Sequence, residues 1–337
     1  KEEKEMYSYF GLEENEFSSK LDSLIKVRNN LFADFKDNES ELTSGFVNIA
    51  NAAITYPIYR LKEIYPYYYK KAHKLDEFPK LSNTFYNYRK EVDINNTSLM
   101  PLYSYQNYIV SYLYNQTFQK VQDNNEDDDF VLHLMDITND KVKIEDLKNT
   151  ILQKIVIDDF LHSSSTCTIN KKVYDKFKDF CSNTEVIEHV NNLVEDTQFI
   201  KQDFALPNFE VVNSNGRRFE IKDLIKNQNT VLYFWNINYM SSEYLYKRIN
   251  YLEKKLPNIQ FIGINISDDY NVTNEPYLKK LNISNQYTLP TNSMAHQFLT
   301  SNYPRTILIN SKGIVTNGFI LLNSKKLWGE LIKLEKN

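Results

Sequence analysis

The sequence predicts two domains of different class, an all-α domain over residues 1–200 followed by an α/β domain over residues 201–337. Three observations predict it. The chain has 337 residues, more than one domain of ordinary size, so each part can bury a core of its own. Apolar residues recur at helical spacing up to about residue 200 and at a spacing of two beyond it. Glycine, with only 7 residues, is absent between Gly45 and Gly216 and returns among short β-branched and aromatic runs.

The helical pattern opens with Phe17, Leu21, Leu24 and Ile25, runs on through Leu31, Phe32 and Phe35, and stops at the polar break Asp37-Asn38-Glu39-Ser40. Pro57 and Pro66 punctuate the next stretch, and Pro79 ends a short connection. Residues 81–92 carry another helical pattern, closed by Asp93-Ile94-Asn95-Asn96. Residues 102–121 form a longer amphipathic helix bearing Tyr103, Tyr105, Tyr108, Tyr112 and Tyr114, which the acidic run at 124–129 breaks. Further helices are expected at about 143–161, 171–180 and 185–195. The many tyrosines are expected in the core with their hydroxyls at the surface.

A linker is expected near residues 198–207. Beyond it, runs at 209–212, 219–221, 231–237, 259–266, 306–309 and 314–322 read as strands, with helical patterns between several of them and a closing hairpin around Gly313. Strands alternating with helices describe a compact α/β domain. Its last element, residues 324–335, places Leu327, Trp328, Leu331 and Leu334 on one helical face.

Composition and motifs exclude several function classes. The formal charge is −4, from 40 Lys+Arg against 44 Asp+Glu with both signs mixed, which leaves no electrostatic footprint for nucleic acid. No apolar run approaches the roughly 18 residues a membrane span needs. Gly313 and Gly318 have the spacing of a phosphate loop, but Phe319 and Ile320 follow in place of Lys and Ser/Thr. The five histidines, His73, His133, His162, His189 and His296, are scattered, and neither HExxH nor G-x-S-x-G occurs. Asp127-Asp128-Asp129 and Asp268-Asp269 read as solvated loops or helix caps rather than metal carboxylates. Cys167 and Cys181 are too few for a disulfide scaffold and too far apart for a CxxC or half a zinc site.

Four ordered stretches carry a resemblance. They are Phe204-Ala205-Leu206-Pro207-Asn208-Phe209-Glu210-Val211 with Asn215-Gly216-Arg217-Arg218-Phe219 and Lys222-Asp223-Leu224; Thr230-Val231-Leu232-Tyr233-Phe234-Trp235-Asn236; residues 258–268; and Tyr303-Pro304-Arg305-Thr306-Ile307-Leu308-Ile309-Asn310-Ser311-Lys312-Gly313-Ile314-Val315. Together they resemble the TlpA/ResA-type thioredoxin-like family. The helical part, with Tyr65-Pro66-Tyr67-Tyr68 and Leu102-Tyr103-Ser104-Tyr105-Gln106-Asn107-Tyr108, resembles the helical region that precedes such domains in envelope proteins of Bacteroidetes.

The resemblance implies a thioredoxin-like sheet over residues 201–337, with a strand-to-helix turn that holds the reactive CxxC and a cis proline, at Pro304, opposite it. Thiol–disulfide exchange needs a thiolate whose pKa is lowered at a helix N-terminus and a resolving Cys three positions on. Here those four positions read Tyr239, Met240, Ser241 and Ser242, so both sulfurs are missing. Ser242 cannot replace one, because oxygen forms no reversible disulfide.

The expectation is therefore a degenerate site without catalytic residues, cofactor or metal. Tyr239, Met240 and Pro304 are candidate contact residues, and Tyr303, Pro304 and Arg305 form the cis-proline loop, where an extended peptide can pair with the backbone. The expected protein is a redox-inactive interaction or scaffold subunit of an envelope or outer-membrane complex. Its location would be periplasmic or outer-membrane-associated, with protein partners. The start at Lys1 is expected of a processed or trimmed chain, and the resemblance allows a lipid anchor upstream. The alternative is an oxidoreductase of altered chemistry that uses Cys167 and Cys181 or an unrecognised group.

Overall fold

A computed structural model describes residues 8–39, 41–124, 129–162, 170–237, 240–266, 276–301 and 305–336. The chain packs as two compact units, Lys1–Ile155 and Val156–Asn337. Among the described residues, strands occur only after residue 209, so the helical N-terminal part and the mixed C-terminal sheet follow the sequence.

The first unit holds α1 (Glu14–Asn38), α2 (Ser44–His73), α3 (Tyr103–Asn124) and α4 (Phe130–Lys141), and α5 (Glu145–His162) starts in it. Helix α2 begins where the Thr43 hydroxyl accepts from the Phe46 N–H at 3.2 Å, and it runs unbroken through both Pro57 and Pro66. The two prolines do not divide it as the sequence reading expected. Each removes one donor to the carbonyl four residues before it; nearby, Asn115 donates to the Glu63 carbonyl at 2.5 Å.

Residues 81–92 also differ from expectation, forming turns and a 3-10 segment, Asn87–Glu91, instead of an α-helix. Ser82 bonds through its side chain to Glu14 and Thr84, a local alternative to helical bonding. Helix α4 went unread because the acidic run before it looked like a plain break. In fact Asp129 caps α4, its carboxylate accepting from the Val131 N–H at 3.0 Å.

The interior of this unit is aromatic. Phe17 stacks on Tyr65 with centroids 4.1 Å apart, beside Phe10 and Phe85. The hydroxyls do not all reach the surface as expected. Those of Tyr88 and Tyr108 donate to the buried Glu63 carboxylate at 2.7 and 3.3 Å, and Tyr65 donates to the Leu12 carbonyl at 2.8 Å. Arg89 completes the cluster, its Nε and Nη2 lying 2.9 and 2.5 Å from the same carboxylate.

The second unit contains α6 (Lys171–Phe180), α7 (Thr184–Phe199) and a seven-stranded sheet. The strands are β1 (Glu210–Asn213), β2 (Arg218–Glu220), β3 (Thr230–Trp235), β4 (Gln260–Asn265), β5 (Gln286–Thr288), β6 (Thr306–Ile309) and β7 (Val315–Ile320), in the order β2-β1-β5-β4-β3-β6-β7. The short helix α8 (Ile221–Leu224) follows β2, α9 (Ser242–Lys255) connects β3 to its parallel neighbour β4, and α10 (Leu327–Lys336) closes the chain. Strand β6 lies antiparallel on the other side of β3, and the hairpin to β7 turns at Gly313, whose φ of +79° suits glycine.

Every residue of β3 is buried, as a strand covered on both faces requires. Val231, Tyr233 and Trp235 pack with Leu245, Ile249 and Leu252 of α9 and with Leu327 and Leu331 of α10. Leu232 and Phe234 face the other way, toward Phe209, Val211 and Phe298. Opposite Tyr233 stands Gly263 on β4, where an added Cβ would come within 2.6 Å of the tyrosine ring. Strand β5, only three residues long, carried no readable pattern.

The division between compact units falls inside α5, earlier than the 200/201 boundary drawn from the change of periodicity. Helix α7 belongs with the sheet. Nor is the stretch after it a loose connection: Ile200 is fully buried, Asp203 N–H donates to the Val315 carbonyl at 2.8 Å, and Leu206 N–H donates to the Gly313 carbonyl at 3.1 Å.

Candidate functional site

The site is the C-terminal end of β3, where the chain leaves the sheet and enters α9. Asn236 is half-buried and Ile237 is exposed. The Met240 N–H donates back to the Asn236 carbonyl at 3.1 Å, which closes the turn. Ser241 is the N-cap of α9, with extended backbone (φ −63°, ψ 140°) and a hydroxyl that accepts from the Tyr244 N–H at 3.3 Å. Ser242 is the first helical residue and is half-buried. The Met240 side chain is partly buried against the core between the sheet and helices α9 and α10. Tyr239, Tyr303 and Pro304 lie outside the described residues, as does Cys167, so the expected cis bond at Pro304 is not among the structural findings.

The structure brings Arg305 to the same end of β3. Its carbonyl accepts from the Phe234 N–H at 2.8 Å, one step before Trp235. Its side chain is buried rather than presented to a partner. The guanidinium donates to three backbone carbonyls, those of Gly318 at 2.9 Å, Phe298 at 2.6 Å and Asp196 at 2.7 Å. It also lies 5.5 and 5.0 Å from the ring centroids of Phe298 and Phe319.

Asp196 was missed by sequence reasoning. Its carboxylate accepts from the N–H and hydroxyl of Thr300 and from the N–H and hydroxyl of Ser301, at 2.9, 2.8, 2.9 and 2.6 Å. Those bonds fix the chain immediately before residues 302–304, while Arg305 fixes it immediately after. The available signal was an acidic residue embedded among Val190, Leu193, Val194 and Thr197 on the buried face of a helix.

Electrostatically, the first turn of α9 is acidic. Glu243 is held below the usual carboxylate range by its hydrogen bond to Lys247, and that lysine is correspondingly raised. A helix N-terminus favours an anion, and the Glu243 carboxylate stands there beside the hydroxyls of Ser241 and Ser242. The Ser241 hydroxyl is committed to capping. Among the described residues no group of His, Cys, Asp and Glu could hold a metal ion. Cys181, far along the chain, is a buried thiol whose Sγ donates to the Asn183 carbonyl at 3.7 Å.

No family model matches the chain, and no curated protein matches it in sequence. Solved structures do. A thiol:disulfide interchange protein from a Bacteroides species matches at 16% identity over 41% of this chain and 92% of its own, with a TM-score of 0.32. The thioredoxin domain of a Bacteroides vulgatus thiol-disulfide oxidoreductase matches at 17% identity over 35% and 87%, with a TM-score of 0.27. An exposed lipoprotein thioredoxin from Streptococcus pneumoniae matches at 15% identity over 38% and 100%, with a TM-score of 0.29. The sheet is mixed and flanked by helices, as the sequence resemblance to a thioredoxin-like domain implied. A parallel β3-α9-β4 unit, an antiparallel β6-β7 hairpin and a closing helix lie in the order that the sequence resemblance implied.

Proposed function

We propose that the chain is a redox-inactive thioredoxin-like protein of the cell envelope that works by contact, as an interaction or scaffold subunit of a larger assembly. The observation that carries this reading is the identity of the residues at the strand-to-helix turn. Tyr239 and Ser242 occupy the positions of the attacking and resolving sulfurs, and Ser242 begins α9 where a thiolate would gain from the helix terminus. Met240 supplies an adaptable apolar side chain at the same turn, a residue type suited to binding surfaces. The envelope setting rests on the family resemblance. A second reading is an oxidoreductase of altered chemistry that uses Cys167, Cys181 or another group; burial of Cys181 at 5% exposure opposes a role for that thiol.

The test of the contact reading is co-purification from the native envelope after Tyr239→Asp and Met240→Asp, beside matched charge substitutions in the helical unit. Release of a partner by the turn substitutions, with the fold intact, is the expected result. If neither set releases any partner, or the native chain purifies alone, the scaffold reading is wrong.

A further inference from the structure

The helical unit contains a cavity of about 670 Å³, inside the range of roughly 300–1,000 Å³ typical of small-molecule sites. It lies between the second half of α2, the segment at 78–86 and α3. Its walls are mainly rings: Tyr67, Phe78, Tyr86, Tyr114 and Phe118. Phe118 is the hub, with its centroid 6.0 Å from that of Tyr67 and 4.9 Å from that of Phe78. Tyr67 remains 46% exposed. Rings gathered around open space on one side of a small unit mark a binding surface more often than an accident of packing.

The polar groups in the wall decide what chemistry fits. Neither Lys, Arg nor His lines the cavity, so no fixed positive charge awaits an anion. The single acid, Glu63, is already engaged by Arg89, Tyr88 and Tyr108 and offers little to a cation. Asn115 spends its amide donors on the Glu63 carbonyl at 2.5 Å and the Tyr86 hydroxyl at 3.1 Å. Ser111 donates to the Asn107 carbonyl of its own helix at 2.9 Å, and Ser82 is bound to Glu14. The amides of Asn83, Gln119 and Gln122 also reach the wall, and beside them the cavity presents ring faces and aliphatic side chains. Such faces recognise flat apolar groups by stacking and by the area buried.

From this we infer that the cavity between α2 and α3 is a binding site for an uncharged, ring-bearing apolar small molecule. The site is separate from the strand-to-helix turn and does not depend on the contact function proposed for it.

The probe is N-phenyl-1-naphthylamine, a neutral aromatic fluorophore whose emission rises in an apolar site. An anionic naphthalene sulfonate and a cationic naphthylmethylammonium serve as charged counterparts. The intact chain is expected to bind the neutral probe at one site with micromolar affinity, about tenfold or more tighter than either charged one. Ser111→Trp, which places an indole in the cavity at the cost of one bond within α3, is expected to weaken binding by about tenfold or more. Unchanged far-UV circular dichroism would establish that this variant is folded. If it fails to fold, Phe118→Leu keeps an apolar side chain but removes the central ring, and a several-fold loss is expected. The inference is overturned if the wild-type chain does not bind the neutral probe, if folded variants bind it unchanged, or if a charged probe binds as tightly.

Discussion

The two units solve the problem of an interior in opposite ways. The helical unit fills its inside with tyrosines and then has to satisfy their hydroxyls, which it does with the Glu63–Arg89 pair and with backbone carbonyls. The sheet unit fills both faces of β3 mostly with aliphatic and phenyl side chains beside Tyr233 and Trp235, and its buried Arg305 is spent on backbone carbonyls. The first interior is directional and depends on protonation, whereas the second depends on volume. Single substitutions should therefore damage the two units by different mechanisms. Both tryptophans, Trp235 and Trp328, lie in the sheet unit, while most of the 25 tyrosines lie before residue 156. Tryptophan fluorescence thus reports the sheet unit, and near-ultraviolet tyrosine dichroism mainly the helical one.

The largest effect is expected from Glu63→Ala, which leaves the Arg89 charge and two phenols without their acceptor. Breaking one side of a buried pair costs about 3–5 kcal/mol. The unfolding free energy from tyrosine-detected denaturation should fall by that amount, with a much smaller change in that from the tryptophan signal. Equal falls in both would deny that the cluster belongs to the helical unit alone.

Arg305→Met is the counterpart in the sheet unit. It removes the donors to three buried carbonyls and should cost about 3 kcal/mol, on the scale of leaving buried polar groups unsatisfied. Here the tryptophan-detected transition should move. A loss below about 0.5 kcal/mol would mean that those carbonyls find other partners.

Gly263→Ala tests the volume-limited interior. The new methyl would meet the Tyr233 ring at 2.6 Å and the Gln286 side chain at 2.3 Å. Overpacking of this kind costs about 1–3 kcal/mol, seen as a lower denaturant midpoint by tryptophan fluorescence. Unchanged stability would show that β4 and β5 separate easily.

The smallest effect, and the one that separates the interiors by chemistry, is alkaline pH. Burial raises the phenols of Tyr56, Tyr59, Tyr65, Tyr88, Tyr105 and Tyr108, and pushes Tyr86 up to about 12. A raised phenol stabilises the fold fully below its unfolded value near 10, and that contribution is lost as pH rises through the folded value. The tyrosine-detected melting temperature should thus decline from about pH 10 upward. Tyr233 and Tyr287 are also raised by burial, so the sheet unit should decline too, but less. Parallel declines would remove the distinction.

Legibility differed between the units for the same physical reason. In the sheet unit, short runs of β-branched and aromatic residues marked β3, β6 and β7 directly, and the first two are buried along their whole length. Strand β5 was invisible because three residues cannot show a period. In the helical unit periodicity found α1, α3 and the start of α5, but it could not foresee that α2 would continue through two prolines. Nor could it show that residues 81–92 would turn instead of coil, because both outcomes depend on distant side chains such as Asn115 and Glu14. At the candidate site, the absence of cysteine between Asn236 and Ser242 was legible at once. The capping role of Ser241 and the clamp made by Asp196 and Arg305 were not, for a clamp joins residues about a hundred positions apart.

The central claim is that a thioredoxin-like domain here works without thiol chemistry, and insulin reduction in the presence of dithiothreitol tests it most directly. The chain should leave the rate of the uncatalysed reaction unchanged, and a Cys167→Ser/Cys181→Ser double variant should behave identically. Acceleration by the wild-type chain that the double variant abolishes would contradict the account and make the protein an oxidoreductase that draws its sulfur from outside the strand-to-helix turn.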